Sequence, residues 1–280
     1  MKGLILEGGA MRGMFTAGVI DVMMEQGIEY DGLVGVSAGA VFGCNYKSKQ
    51  IGRVIRYNKR FCKDPRYCSI RSLFRTGDLY GADFCYRELP ESLDVFDNET
   101  FNNNPLQFYA VCTNVKTGEP VYYECKDGVE CLQWLRGSAS MPMASRVVEV
   151  GEYQLLDGGI SDPIPLRFFE GKGYDKNVVV LTQPAGYEKK KERILPLMKI
   201  VMKRYPKILA LMEQRHVEYN KCLAELCRKE KEETVFVIRP PHKLQVGRIE
   251  HNPDKLQQAY DTGRETMLGK IEELKEYLNC

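Results

Sequence analysis

The sequence has almost no net charge. Its 40 lysine and arginine residues are balanced by 38 acidic residues, which leaves a formal charge of +2. Proteins that bind the phosphate backbone of nucleic acids carry a marked basic excess on one face. We therefore expect no nucleic-acid partner.

The sequence also lacks paired cysteine motifs. None of its ten cysteines forms a CxxC pair, and its three histidines do not lie beside cysteines at the spacing of a metal site. We therefore expect no metal and no cofactor, and we interpret the cysteines as reduced thiols.

Long apolar runs are missing as well. No uncharged stretch approaches the roughly 18 residues that a membrane-spanning helix needs. After Lys2 only four residues precede the charge of Glu7, which is too short for a secretory signal. These features predict a cytoplasmic protein that contacts membranes only peripherally.

Two strand–loop–helix units open the chain. Residues 3–7 form a short apolar run that ends at glycines, and a helical pattern follows through residues 15–23. Residues 32–36 form a second run, and residues 38–46 have helical spacing. Two such units predict a βαβ crossover and a parallel sheet, hence the α/β class.

Further elements divide the chain near Gly186. The sequence before this point is expected to form a catalytic domain (1–185), and the sequence after it a helix-rich C-terminal extension (186–280). Within 50–104 only two helices can be predicted. The patterns predict strands at 108–113, 121–124, 147–150, 153–156, 177–182 and 234–238. They predict helices at 52–61 and 82–89, an amphipathic stretch at 194–212, a charged helix that continues from there to about 231, and a helix at the end of the chain.

A Gly-x-Ser-x-Gly motif, GVSAG at 35–39, lies where a strand ends and a helix begins. The small residues on both sides, Gly35 and Gly39, permit a sharp turn that presents the hydroxyl of Ser37 at a helix N-terminus. This context predicts that Ser37 is a nucleophile.

A glycine loop, EGGAMRG at 7–13, follows the first strand. Its backbone N–H groups would form a concave anion-binding surface near Ser37, as an oxyanion hole requires. A plain tight turn is one alternative. A dinucleotide loop is another, with Ala10 where GxGxxG has its second glycine.

The activating base is less obvious, because His216, His242 and His251 all lie in the tail. Asp157 is the stronger candidate, since Asp157-Gly158-Gly159 follows a strand-like run and its glycines allow another backbone to approach. An Asp-Gly hairpin turn is the alternative interpretation.

The three motifs, in this order, resemble those of patatin-like phospholipases over residues 3–184. The resemblance implies a three-layer α/β/α fold with a mostly parallel sheet, and a serine–aspartate dyad that needs no histidine. It assigns the nucleophile to Ser37, the base to Asp157, the oxyanion hole to Gly8, Gly9, Ala10 and Arg12, and supporting roles to Gly13, Gly35, Gly39, Gly158 and Gly159.

The chain departs from the family's commonest loop at two positions. Glu7 replaces an aspartate and Ala10 replaces a glycine. Ala10 keeps its N–H group, but its methyl group narrows the site or opposes a positive φ. Residues 138–142 resemble the small-residue segment that precedes the family's aspartate, and we expect them to line the pocket.

These motifs predict a serine acyl hydrolase that cleaves carboxylic esters of lipids through an acyl-enzyme. A basic amphipathic stretch at 194–212 is expected either to lie on an anionic lipid surface or to pack on the catalytic domain. Three alternatives remain: a histidine-dependent α/β-hydrolase, a nucleotide-binding module with Asp31 at the ribose, and a silent lipid- or partner-binding protein. The substrate and the oligomeric state stay open.

Overall fold

Short apolar runs form the strands of one mixed sheet. The computed structural model describes residues 1–279, and its sheet has eight strands. The strands are β1 (Lys2–Leu6), β2 (Gly32–Val36), β3 (Gln107–Asn114), β4 (Pro120–Glu124), β5 (Val148–Val150), β6 (Tyr153–Asp157), β7 (Lys176–Val180) and β8 (Val235–Ile238).

Helices occupy most of the intervening chain. They are α1 (Gly13–Glu25), α2 (Ala38–Lys47), α3 (Arg53–Phe61), α4 (Ile70–Thr76), α5 (Asn98–Asn103), α6 (Gly128–Ser138), α7 (Leu166–Gly171), α8 (Leu195–Val201), α9 (Pro206–Lys231), α10 (Pro253–Leu268) and α11 (Ile271–Leu278). A wide π-helical segment, Phe84–Leu93, lies where the sequence predicted a helix at 82–89. The sequence did not predict α4, α5, α6 and α7.

The sheet order is β5-β6-β3-β2-β1-β7-β8, with β4 paired to β3. Strands β3, β2, β1, β7 and β8 run parallel to one another. Strands β4 and β6 run antiparallel to β3, and β5 runs antiparallel to β6. The predicted mostly parallel sheet is confirmed.

The alternation of apolar side chains along the strands builds a core on each face of the sheet. Leu4 and Leu6 of β1 belong to a core that includes the buried side chains of α1 and α2. Ile5, between them, belongs to a second core with residues of α7 and α9. Because successive strand residues point to opposite faces, helices cover both sides, and the predicted α/β/α layering is confirmed.

Strands β2 and β6 meet end to end on one edge of β3. Val36, the last residue of β2, is paired with Val111. Asp157, the last residue of β6, is paired with Cys112. Strand β4 pairs with β3 at both of these positions, so it occupies the opposite edge. The chain segments that leave β2 and β6 therefore begin at adjacent points of the sheet.

The helix-rich C-terminal region joins the same sheet and core. Strand β8 pairs in parallel with β7, and α10 packs across α1. In this crossing, the Tyr260 hydroxyl donates to Asp21 over 2.7 Å. The predicted helix-rich region is present, whereas the domain boundary at 186 stays a prediction.

The cysteines differ in part from the expectation of reduced thiols. Cys125 and Cys131 form a disulfide at the start of α6. Seven other cysteines are free thiols, and Cys280 lies outside the described residues. Within residues 1–279, no helix is both long and apolar enough to cross a bilayer.

The contact between α1 and α10 depends on two glycines. A Cβ at Gly18 would lie 2.1 Å from the Tyr260 carbonyl oxygen, and one at Gly263 would lie 2.1 Å from that of Phe15. Because these neighbours are backbone atoms, they cannot yield by a side-chain rotation. We expect Gly18→Ala to lower the free energy of unfolding by about 1–3 kcal/mol through overpacking, as measured by urea denaturation.

Gly171→Ala is the matched control, because a Cβ at this helical glycine meets nothing within 4 Å. Its unfolding free energy should stay close to that of the unaltered protein. Equal unfolding free energies of the Gly18→Ala and Gly171→Ala variants would contradict the prediction, because the contact between α1 and α10 would then tolerate a Cβ at position 18.

Candidate active site

Ser37 stands at the turn between β2 and α2. Its φ is +55° and its ψ is −123°, an uncommon conformation for a residue with a side chain, which costs on the order of 1–3 kcal/mol. The Ser37 N–H donates to Ser138 Oγ over 2.9 Å, and Ser138 Oγ donates to the Val111 carbonyl over 2.6 Å. Ser138 therefore ties the strained turn to β3.

Asp157 meets Ser37 from the end of β6. It is only 4% exposed, lines a cavity that Ser37 also lines, and accepts a hydrogen bond from the Gly159 N–H over 2.8 Å. Burial raises the pKa of Asp157 above its ordinary value of 3.8, and the nearby Ser37 hydroxyl and the charge of Arg215 counteract part of this rise. The serine and aspartate from two distant motifs thus face the same cavity.

The glycine loop touches the same serine. A Cβ at Gly8 would lie 2.8 Å from Ser37 Cβ, so the loop backbone lies directly against the Ser37 side chain. Within residues 1–279, no hydrogen bond uses the N–H groups of Gly8, Gly9 or Ala10. Ala10 adopts a φ of +49° despite its methyl group. The loop therefore leaves free donors next to Ser37.

Glu7 anchors this loop rather than facing Ser37. Its carboxylate is 3% exposed and accepts hydrogen bonds from the Thr182 N–H over 2.6 Å and from Thr182 Oγ1 over 2.9 Å. The Tyr219 hydroxyl donates to the other carboxylate oxygen. The sequence identified Glu7 only as a departure from the family's aspartate, whereas the structure gives it three hydrogen-bond donors.

Helix α9 contacts both motifs with two residues one turn apart. Tyr219 holds Glu7 at the glycine loop, and Arg215 Nε donates to the Gly159 carbonyl over 2.8 Å. Residues at i and i+4 share one face of a helix, which lets a single helix reach both places. Sequence reasoning missed both residues, because no local pattern links them to motifs so far along the chain.

Arg12, which the family resemblance assigned to the oxyanion hole, lines a polar cavity beside Ser37. Its Nε is buried and has no hydrogen-bond partner within residues 1–279. Burial lowers the pKa of Arg12, and the nearby charge of Glu7 opposes this effect.

Two cavities meet at Ser37. The polar cavity contains Glu7, Gly8, Gly9, Asp157 and several basic residues. A second cavity is mostly apolar, and its walls include Met11, Val41, Phe42, Tyr57, Leu132 and Leu135. Ala10, Ser37 and Met141 line both cavities. The expected 138–142 segment thus contributes Met141 to the cavity walls and Ser138 to the Ser37 turn.

The supporting glycines lie at close contacts around the same turn. A Cβ at Gly13, Gly35, Gly39 or Gly158 would come within 3 Å of a neighbouring atom, and one at Gly159 would lie 3.1 Å from Asp157 Oδ1. The most severe case is Gly158, whose Cβ would be 2.2 Å from the Val111 carbonyl oxygen. These positions permit the close approach of backbones that brings the motifs together.

The residues needed by two alternative interpretations lie elsewhere. His216, His242 and His251 line neither of the cavities at Ser37. Asp31 accepts a hydrogen bond from the Lys2 N–H at the start of β1, whereas the glycine loop follows the other end of that strand. Within residues 1–279, no three His, Cys, Asp or Glu side chains are grouped as metal ligands.

Comparison with known families agrees with this arrangement. The sequence model of patatin-like phospholipases matches residues 4–169. The chain belongs to this family. A second model, a domain of unknown function (DUF6363), matches residues 205–279, which include Arg215 and Tyr219. The contacts of α9 with the two motifs therefore come from outside the region that the family model matches.

Several curated proteins are similar to this chain. The uncharacterized protein YjjU of Escherichia coli is 30% identical over 65% of this chain and 52% of its own length. The uncharacterized NTE family protein Mb1092c of Mycobacterium bovis is 26% identical, over 63% and 48%. Lysophospholipase nte1 of Aspergillus terreus is 26% identical, over 62% and 11%. The chain thus spans about half the length of the first two relatives and far less of the third.

Among solved structures, the crystal structure of VipD from Legionella pneumophila aligns with a TM-score of 0.48 and 14% identity. The alignment covers 97% of this chain and 67% of that chain.

The raised pKa of Asp157 has a measurable effect on stability. Between 3.8 and its folded pKa, the folded state binds more protons than the unfolded state, so stability falls as pH rises through this interval. We expect Asp157→Asn to increase the free energy of unfolding at neutral pH, and the gain should shrink toward acidic pH. Urea denaturation at both pH values measures this difference.

Asp64→Asn is the control of opposite sign, because the hydrogen bond with Arg66 lowers the pKa of Asp64. That substitution should not stabilise the protein at neutral pH. A lower stability of Asp157→Asn at neutral pH would mean that the site favours the charged carboxylate.

Proposed function

We propose that this chain is a serine acyl hydrolase that cleaves carboxylic esters of lipids, with Ser37 as the nucleophile and Asp157 as its base. The single observation that carries the proposal is that these two buried side chains line one cavity beside the glycine loop. The free N–H groups of the glycine loop beside Ser37 support it further, because an oxyanion hole needs such donors. Membership in the phospholipase family agrees with lipid esters as substrates.

In the proposed reaction, Ser37 Oγ attacks the ester carbonyl while Asp157 accepts the hydroxyl proton. The N–H groups of Gly8, Gly9 and Ala10 stabilise the oxyanion, and the alcohol leaves with the proton from Asp157. A water molecule then attacks the acyl-enzyme, with Asp157 again as base, and the acid departs as Ser37 recovers its proton. No histidine is required.

The environment of Asp157 suits a base. An ordinary aspartate is too weak a base to accept a proton readily near neutral pH, whereas burial raises the pKa of Asp157 and so strengthens it. The apolar cavity on one side of Ser37 would receive the acyl chain. A relative named lysophospholipase supports an ester of this type.

A fluorophosphonate probe with parallel ester hydrolysis tests this proposal. We expect covalent labelling of the unaltered protein, none of Ser37→Ala, and a loss of about 100-fold or more in labelling rate for Asp157→Ala, because the general base is removed. Hydrolysis should also fall as pH drops through the raised pKa of Asp157, since the protonated acid cannot accept the serine proton.

Ser92→Ala, at an exposed serine outside both cavities, is the control and should label normally. Absence of labelling and hydrolysis in the unaltered protein would favour a silent lipid-binding protein. Labelling that needs a histidine would instead favour an α/β-hydrolase mechanism.

We also propose that a surface beside the site docks on anionic membranes. Ile70 and Phe74 of α4 are 67% and 87% exposed, and Ile200 and Val201 of α8 are 71% and 56% exposed. Exposed basic residues accompany both pairs: Arg71, Arg75, Lys203 and Arg204. Apolar residues combined with cations are typical of segments that bind anionic lipid surfaces.

Both helices adjoin the segment that carries Met141. The Leu79 N–H, just after α4, donates to the Ala144 carbonyl over 2.8 Å. The buried side of α8 belongs to a cluster against which Met143 and Val147 pack. Met141 lines both cavities, so each helix adjoins a segment that contributes to the cavity walls. The predicted amphipathic stretch at 194–212 is interrupted before Pro206, so only α8 and its flanks present this apolar face.

Vesicle sedimentation measures this docking. We expect binding to vesicles that contain phosphatidylglycerol, weaker binding to pure phosphatidylcholine, and a loss of at least about tenfold in partitioning for Phe74→Ser, because a phenylalanine buried in lipid contributes about 1.5–3 kcal/mol.

Val129→Ser, at a residue that is 63% exposed on α6, is the matched control and should bind like the unaltered protein. Equal losses for both variants, or binding that is indifferent to lipid charge, would contradict this docking surface.

A further inference from the structure

The polar cavity beside Ser37 is crowded with cations. Arg12, Lys189, Arg215 and Arg248 all line it. Three of these four residues lie beyond residue 169, where the match to the phospholipase family ends. The family resemblance therefore accounts for Arg12 alone.

The carboxylates near this cavity are already engaged. Glu7 accepts hydrogen bonds from Thr182 and Tyr219, and Asp157 accepts one from the Gly159 N–H. Glu192 forms ion pairs with Arg215 over 3.7 Å and with Arg248 over 2.9 Å. The local positive charge is thus only partly neutralised.

Within residues 1–279, neither Lys189 nor Arg12 has a carboxylate within ion-pair distance, whereas Arg215 and Arg248 pair with Glu192. No hydrogen bond or ion pair among the described residues involves Lys189 Nζ, which lies 4.4 Å from the centre of the Tyr219 ring. The Asn220 side chain fixes the Lys189 backbone through hydrogen bonds of 2.8 and 3.0 Å. Burial and the charge of Arg215 lower the pKa of Lys189 to about 8, as expected of a cation held beside other cations.

We propose that this cavity is a subsite for a phosphate monoester on the alcohol part of the substrate, held by Lys189, Arg215 and Arg248 with Arg12. The inference rests on the hydrolase function proposed above. The apolar cavity on the other side of Ser37 receives the acyl chain, so the scissile ester spans the junction of the two cavities. Arginine and lysine are the usual partners of phosphate oxygens.

The same site disfavours a headgroup that carries its own cation. No carboxylate of the cavity is free to pair with an ammonium group, and Lys189 already occupies a face of the Tyr219 ring that a quaternary ammonium would need. The cavity volume is about 50 Å³, whereas one water molecule needs roughly 10–15 Å³. Only a compact group fits beside the cations.

Three esters with one acyl chain test the subsite: 1-acylglycerol 3-phosphate, 1-acylglycerophosphocholine and monoacylglycerol, each supplied below its micellar concentration. We expect kcat/KM to be highest for the phosphate monoester by at least about tenfold, because its nearly doubly charged phosphate forms more charge-assisted hydrogen bonds than the singly charged phosphodiester of the choline ester, and monoacylglycerol forms none. Lys189→Met should reduce kcat/KM for the phosphate monoester about tenfold more than for monoacylglycerol.

Lys190→Met, at the exposed neighbouring lysine outside the cavity, is the matched control and should keep the full preference. Glycerol 3-phosphate should compete with the ester substrate in the unaltered protein and more weakly in Lys189→Met. Inhibition by inorganic phosphate without any preference for the phosphate monoester would assign the site to free phosphate and overturn the proposal.

Hydrolysis of the three esters also distinguishes failure of the phosphate subsite from failure of the proposed hydrolase function. Equal hydrolysis of all three esters, unchanged in Lys189→Met, would overturn the subsite and leave the hydrolase intact. Hydrolysis of none of them, together with no labelling by the fluorophosphonate probe, would overturn both.

Discussion

The shared edge of β3 is the constraint on which the site depends. Strand β2 arrives at this edge in parallel and β6 arrives antiparallel, and both end there, at Val36 and Asp157. Neither strand can lengthen without colliding with the other. The backbone must therefore turn out of the sheet at both ends, which makes Ser37 strained and puts Gly158 against the Val111 carbonyl. The registers of β2 and β6 on β3 therefore bring the Ser37 hydroxyl and the Asp157 carboxylate close together. Because both faces of the sheet are buried, a shift of either register would move apolar side chains to the wrong face.

A second set of contacts holds the glycine loop to the rest of the molecule. Glu7 joins the end of β1 to Thr182, beyond β7, and to Tyr219 on α9. Removing one partner of such a buried carboxylate leaves charge without hydrogen bonds, which is costly in a medium of low dielectric constant. The segment that matches the domain of unknown function thus stabilises this site. Tyr219 binds Glu7 at the glycine loop, and Arg215 binds the Gly159 carbonyl just after Asp157.

Local patterns predicted most strands and all three motifs, because a buried parallel strand is a short apolar run and a sharp turn needs small residues. They could not predict what long-range packing decides. Tyr219 lies 212 residues from Glu7, and nothing near either residue indicates the pairing. Helices α4 and α5 are only seven and six residues long, too short for a helical period to be distinct in the sequence. Ala10 adopts a positive φ that its residue type disfavours, since the surrounding loop determines its backbone.

The position of β1 in the sheet has a consequence for how the protein forms. Strand β1 is synthesised long before one of its two neighbours, β7, which follows more than 160 residues later, and α10, which covers α1, comes later still. Contacts so distant in sequence make folding slow and leave edges of the sheet open in the meantime. Ser37 is therefore synthesised long before Asp157 and α9, and the arrangement around it forms only after these later segments have been made.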